Sequence, residues 1–199
     1  MNGGINLKGD ITFVANSIVS KEQDGVNAND NYNGSESNGR LYMDYIDIDS
    51  DATTFSSSKS VLTLASCSKV VYAGLYWAAV YPRQHWDTRV NSGERETDFN
   101  EIKFKLPGGD YLDITGEIVY DDGEETSKPY MCFKDVTSLV SSLDSPNGAY
   151  YAANIKATIG EDSEGLGASG GWIMVVIYEN EVERSRRVSI FDGFSFVNR

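Results

Sequence analysis

The densest run of chemistry-bearing side chains is Asp47-Ile48-Asp49-Ser50-Asp51, with Asp44 just before it. Three carboxylates at i, i+2 and i+4 match the opening of a calcium loop, in which hard oxygen ligands converge on one ion. The remainder of an EF-hand is missing: Ala52 stands where that loop turns on glycine, and Ser58 where a bidentate glutamate closes it. The same spacing along a strand edge leaves the aspartates solvated on one face. Mutual repulsion of three such charges favours a cation, so calcium is the one cofactor the run implies. Asp30 is a further candidate ligand, in a loop that also holds Asp24, Asn29 and Asn31.

Nucleophilic chemistry is poorly served. The sole histidine, His85, lies between Gln84 and Trp86 in a polar stretch. A Ser–His–Asp or Cys–His site would have to be built on it, and no G-x-S-x-G element precedes a helix. With thirty acidic residues some carboxylates always lie near one another, so the sequence specifies no glycosidase pair. The glycines within 160–171 have no following Gly-Lys-Ser/Thr and lead into a strand, which makes them linker rather than phosphate loop. A Lys–Asn or Lys–Asp isopeptide cross-link has many donors and acceptors, but nothing selects a pair. The chain is read as non-catalytic.

Aromatic rings stack on sugar faces, and Tyr32, Tyr42, Tyr45, Tyr81 and Trp86 fall in or beside loops. Tyr81, Trp86 and Tyr32 are the ligand-binding candidates on that ground. The competing reading makes most of the twelve tyrosines core edges and cross-strand pairs.

Composition narrows the partners. A net charge of −13 opposes nucleic acid, which must be met by Lys and Arg, and opposes anionic lipid surfaces as well. No segment approaches the roughly 18 consecutive apolar residues of a membrane span, so no membrane insertion is expected. Acidity of this kind suits an extracellular domain, with or without calcium. The two cysteines, Cys67 and Cys132, lack metal or redox spacing. In an oxidising compartment they would pair, closing about 65 residues for roughly 4 kcal/mol of stabilisation; elsewhere they would be buried free thiols. MNGGINLKG has neither the basic nor the apolar region of a signal peptide, and the chain reads as a fragment of a longer protein.

The elements that must position these residues are organised around Cys67–Tyr81. With period two, Val71, Ala73, Leu75, Trp77, Ala79 and Tyr81 form one face, and Val70, Tyr72, Gly74, Tyr76, Ala78 and Val80 the other. Neither face carries a charge, which predicts a central strand covered on both sides. Trp172–Tyr178 is its counterpart. Further strands are predicted at Asp10–Val19, Leu41–Ile48, Val61–Leu64, Glu101–Leu106 (Ile102, Phe104 and Leu106 inward, Lys103 and Lys105 outward), Tyr111–Thr115, Glu117–Tyr120, Tyr130–Lys134, Ala149–Ile159 and Arg187–Val197. Pro107-Gly108-Gly109-Asp110 reads as a hairpin turn. One short helix, about 136–143, follows Asp135 or Thr137 as cap. Frequent strands without intervening helices give an all-β class: a single jelly-roll-like β-sandwich over 1–199.

Several segments together resemble a domain of very large secreted proteins of Bacteroidota, of the gliding-motility and adhesin-like kind exported by the type IX system. They are ITFVANSIV, DIDSDATTFSSSKSVLTLASCSKVVYAGLYWAAVY, FKLPGGDYLDITGEIVYDD, YMCFKDVTSLV and GASGGWIMVVIYENEVERSRRVSIFDGF. The specific part is the combination of Cys-x-x-Val-x-x-Ala-Gly-Leu-Tyr-Trp, Lys-Asp-Val-Thr and Gly-Gly-Trp with Phe-Asp-Gly-Phe. The resemblance implies a non-catalytic cell-surface module that mediates or supports attachment, with Cys67 and Cys132 at matching positions and neighbouring domains in the same chain. It implies no catalytic residues. The alternative is a calcium-assisted carbohydrate-binding module, with surface glycans or proteins as partners in either case.

Overall fold

The computed structural model describes residues 4–21, 35, 41–82, 95–122, 129–161 and 168–193. Thirteen strands and one helix lie among them: β1 (Ile5–Ser17), β2 (Val19–Lys21), β3 (Tyr42–Tyr45), β4 (Ser57–Leu62), β5 (Lys69–Val80), β6 (Glu101–Lys105), β7 (Tyr111–Thr115), β8 (Glu117–Asp121), β9 (Pro129–Asp135), α1 (Thr137–Ser141), β10 (Gly148–Ala153), β11 (Gly160–Glu161), β12 (Gly170–Glu179) and β13 (Ser185–Val188). A six-stranded sheet runs β13-β1-β12-β5-β9-β8, a four-stranded sheet β4-β10-β6-β7, and a small third sheet β11-β3-β2. The chain crosses repeatedly between the two larger sheets, and the strand pairs within them are antiparallel. This is an all-β, jelly-roll-like sandwich with one short helix. Among the described residues no helix is long and apolar enough to cross a membrane.

The two-faced apolar strand sits where its composition requires. β5 lies third from the β8 edge, hydrogen-bonded to β12 on one side and β9 on the other. Its inward row is Ala73, Leu75, Trp77 and Ala79, continued just past its end by Tyr81, all in the main core. Trp172 pairs directly with Trp77, and Cys132 flanks Trp77 from β9. Both indole N–H groups are satisfied inside the core: Trp77 donates to the Phe99 carbonyl at 3.2 Å and Trp172 to Ser58 Oγ at 2.9 Å. Buried indoles without such partners would carry the desolvation cost of the N–H.

Strand limits differ from the sequence expectation where local chemistry intervenes. β1 begins at Ile5 because Ile5–Lys8 finds partners in Ser185–Val188. β10 stops at Ala153 because Asn154 takes φ +61° and its side chain bonds the Phe55 N–H and the Thr53 carbonyl. β13 closes at Val188 and residues 189–193 are not strand, while the rest of the expected Arg187–Val197 lies outside the described residues. The helix is shorter than 136–143, and its N-cap is Val136, which makes no side-chain capping bond, rather than Asp135 or Thr137; two neighbouring bonds dock it instead. Asp135 Oδ1 accepts from Thr137 N–H at 2.9 Å, while Thr137 Oγ accepts from the Ala73 N–H of β5.

The disulfide expected between Cys67 and Cys132 does not form: both are free thiols, one exposed and one buried. The register explains it. Cys67 occupies a tight turn at φ +65°, two residues before β5 begins, whereas Cys132 pairs with Trp77, eight residues into that strand. At about 3.3 Å per residue those eight residues alone separate the thiols by roughly 26 Å, far beyond bridging distance. Burial pushes the Cys132 thiol up to about 12. A thiol reagent added to the native protein is expected to label Cys67 rapidly and Cys132 only after denaturation. Reductant is expected to leave the melting temperature unchanged; a fall would reinstate the bridge.

Gly116, between β7 and β8, makes room for the central indole. A Cβ there would fall 2.2 Å from Trp77 Cη2 and 3.0 Å from the Phe133 carbonyl oxygen. Neither a buried ring nor a strand carbonyl yields easily. Gly116→Ala is expected to cost about 1–3 kcal/mol in urea unfolding, and the exposed neighbour Thr115→Ala within roughly 0.5 kcal/mol. Equal effects would mean that the ring can shift.

Candidate binding face

The outer face of the four-stranded sheet carries one row that the pairing assembles from four separate strands. Lys59 of β4 lies opposite Tyr151 of β10, Tyr151 opposite Lys105 of β6, and Lys105 opposite Tyr111 of β7. Cations and rings therefore alternate along a line perpendicular to the strands. The Lys105 ammonium sits 5.4 Å from each of the Tyr111 and Tyr151 ring centroids, and that of Lys59 lies 5.9 Å from Tyr151. At these distances the ring quadrupole attracts the ammonium. With a strand spacing of about 4.8 Å the row spans roughly 14 Å. The β6–β7 hairpin fixes one half of it: Gly109 N–H bonds the Leu106 carbonyl at 3.1 Å, and Gly108 supplies the left-handed turn residue at φ +72°.

Beside the row is a polar hollow of about 230 Å³, walled by Lys103, Asp113, Asp98, Lys156 and Asn154 with Phe55 at its edge. Lys103 pairs with Asp113 at 2.8 Å. Lys156 is largely buried and bonds both Glu96 and Asp98, whose carboxylates face solvent. Lysine and carboxylates meet here as an isopeptide would need, but the chemistry opposes it. Burial lowers the Lys156 pKa, bonds to Asp98 and Glu96 outweigh that, and the ammonium stays protonated and non-nucleophilic.

The acidic loop borders the same face. Asp49 Oδ2 accepts from the Tyr111 hydroxyl at 2.5 Å, and Asp49 Oδ1 accepts from Asp51 N–H and Thr54 Oγ. Asp51 Oδ1 accepts from the N–H and Oγ of Thr53, and Asp47 Oδ1 from Ser57 Oγ at 2.8 Å. The i, i+2 spacing that reads as a ligand pattern is here the spacing of side-chain-to-backbone turns. Among the described residues no group of three or more His, Cys, Asp or Glu side chains gathers as metal ligands. Partial burial raises the Asp49 pKa, but the bonds from Tyr111, Asp51, Thr54 and Ser57 together outweigh it and hold the carboxyl below its usual range. Burial, then the bond to Asp49, pushes the Tyr111 hydroxyl upward.

Of the aromatic candidates, Tyr81 is 7% exposed and belongs to the core, which removes it from any sugar-stacking role. It ends the inward row of β5, and the same alternation that buries Trp77 buries it. Tyr45 is turned inward too: its hydroxyl donates to the Ala157 carbonyl and accepts from the Ala157 N–H, and burial pushes it up to about 12. Tyr42 is exposed. Tyr32, Trp86, Asp30 and His85 lie outside the described residues. The sequence reading placed Lys103 and Lys105 outward but missed the Lys59–Tyr151 half of the row, which depends on pairing between strands nearly ninety residues apart. Comparison with protein-family models, curated proteins and solved structures finds no match for this chain.

The Asp49–Tyr111 bond has a pH window. Asp49, with its folded pKa depressed, contributes stability that is complete above its ordinary value of 3.8 and lost as the pH falls through the folded pKa. Tyr111, with its pKa raised, contributes stability that is complete below its ordinary value of 10.0 and lost as the pH rises through the folded pKa. Tyr111→Phe is expected to lower stability at neutral pH by roughly 1 kcal/mol and to flatten both limbs of a melting-temperature profile. Unchanged limbs would separate this bond from the pH response.

Proposed function

We propose that this chain is a non-catalytic attachment module of a cell-surface protein, and that it engages surface glycans through the Lys59–Tyr151–Lys105–Tyr111 row. The observation that carries the reading is the row itself. Rings separated by cations on an open sheet face suit a ligand with alternating apolar and hydroxyl-bearing surfaces. Sugar C–H faces pack on tyrosine, ammonium groups donate to hydroxyl oxygens, and Asp113 and Asp98 in the adjoining hollow accept from hydroxyls. A flat platform also suits holding an extended chain more than enclosing a bond to be broken. The sequence resemblance to large type IX-exported surface proteins supports an extracellular setting, with neighbouring domains in the same chain.

A second reading, a calcium-assisted carbohydrate-binding module, is favoured by the closeness of Asp49 and Asp51 to the row. Tyr111 is bonded to Asp49, so an ion bound at those carboxylates would act directly on a ring of the platform.

The test is affinity electrophoresis through a panel of neutral and acidic polysaccharides, each run in calcium and in chelator. Retention on at least one polysaccharide is expected, weakened about tenfold by Tyr151→Ala or Lys105→Ala, the worth of one ring or cation contact of about 1.4 kcal/mol. The exposed Tyr42→Ala serves as the control and is expected to leave retention unchanged. Retention indifferent to both row variants, or none on any polysaccharide, overturns the glycan reading. Retention lost in chelator selects the calcium-assisted form.

A further inference from the structure

Among the described residues no second sheet lies over the outer face of the six-stranded sheet, although its composition is that of an interior. The outward positions of β1 are Ile5, Leu7, Gly9, Ile11, Phe13, Ala15 and Ser17, and those of β12 from Gly171 to Ile177 are Gly171, Ile173, Val175 and Ile177. Those of β5 are Tyr72, Gly74, Tyr76, Ala78 and Val80. None of these is charged, in a protein of net charge −13. Phe13 is 65% and Ile11 44% exposed. A groove of about 810 Å³ runs over this face, floored by Ala15, Gly171 and Ala78 and walled by Tyr76, Met131 and Ile173. Contiguous apolar surface of this kind marks a place where something docks.

The chain already begins to cover it. Tyr72, Ile177 and Val188 form a second, smaller core on this side, with Ile5, Leu7, Val71 and Ile190 packed against it. Val188 ends β13 at the sheet edge, yet Asp192 accepts a hydrogen bond from the Tyr76 hydroxyl of β5 at 3.1 Å. Val188 lies level with Ile5 and Tyr76 level with Ala15, so residues 189–192 carry the chain from the β13 edge diagonally along the outer face to β5. Asp192 therefore holds the chain at Tyr76, and the next residue, Gly193, follows beside the side chain that walls the groove. The sequence that follows is Phe194-Ser195-Phe196-Val197-Asn198-Arg199, three large apolar side chains in six residues.

We propose that the outer face of the six-stranded sheet is the docking site for the chain's own residues 194–199, with Phe194 and Phe196 filling the groove floored by Ala15, Gly171 and Ala78. The segment extends the small outer core begun by Val188 and Ile190, and the Tyr76–Asp192 bond is the hinge pin that aims it. The proposal does not depend on glycan binding, because it concerns the opposite sheet.

The test uses the whole chain with Cys67→Ser, leaving only the buried Cys132, and a benzophenone maleimide attached at Phe196→Cys. Irradiation is expected to give intramolecular cross-links to peptides of β1, β12, β5 or β9. In parallel, the Phe194→Ser/Phe196→Ser double variant is expected to raise the emission of an apolar-surface dye severalfold over the unsubstituted chain, with both sedimenting as monomers. Cross-links confined to other surfaces, or none, overturn the proposal. So does dye emission already as high in the unsubstituted chain. Cross-links between two chains, with a concentration-dependent mass, would assign the face to a second copy instead. If the double variant fails to fold, the cross-link map alone decides.

Discussion

A strand apolar on both faces cannot be left half in water, and β5 imposes that constraint on everything around it. Burying its inward row requires a second layer, which the four-stranded sheet supplies through Phe104, Ile102, Tyr150 and Ile114. Burying its lateral edges requires two long partners, and β12 and β9 meet that need with matching apolar content. The burial of one large side chain is worth roughly 1.5–3 kcal/mol, so the Trp77–Trp172 pair and its neighbours dominate the packing. Small residues then become obligatory where the indole needs space, as at Gly116.

The indoles and two of the tyrosines drawn into this arrangement each find a polar partner. The indole N–H groups reach Phe99 O and Ser58 Oγ, Tyr130 reaches the Lys156 carbonyl, and Tyr150 reaches the Pro146 carbonyl. These bonds tie the loops that bridge the sheets to fixed points in the core. Chemistry that the chain offers is consequently displaced to the sheet surfaces. One surface alternates ammonium groups with phenol rings, and the opposite one is apolar throughout β1, β12 and β5. The two faces suit different occupants: a hydroxyl-rich, amphipathic ligand in the proposal made for the first, a hydrophobic segment in that made for the second.

The acidic loop shows how a local pattern can carry two meanings. Asp47, Asp49 and Asp51 have the spacing of calcium ligands, and an aspartate two residues before a backbone N–H is equally the start of an Asx turn. In the structure the oxygens accept from Ser57, Tyr111, Thr53, Thr54 and the Asp51 N–H. Tyr111 arrives from a hairpin 62 residues away, a partner that the loop's own sequence does not announce. The cysteines make the same point. Two cysteines near strands look pairable until the register puts one at the start of β5 and the other beside its middle.

Period-two alternation determined by itself that the chain is all-β, that β5 is central, and that Lys103 and Lys105 face outward. These are properties of a strand's two faces, and the side chains on a strand alternate whatever the partner. Which strands stand next to which was decided only in the tertiary structure, because backbone hydrogen bonds between strands are the same for every sequence and register depends on packing across the whole core. From the tertiary structure alone came the Lys59–Tyr151–Lys105–Tyr111 row, the separation of Cys67 from Cys132, the burial of Tyr81, and the bond that brings Asp192 to Tyr76.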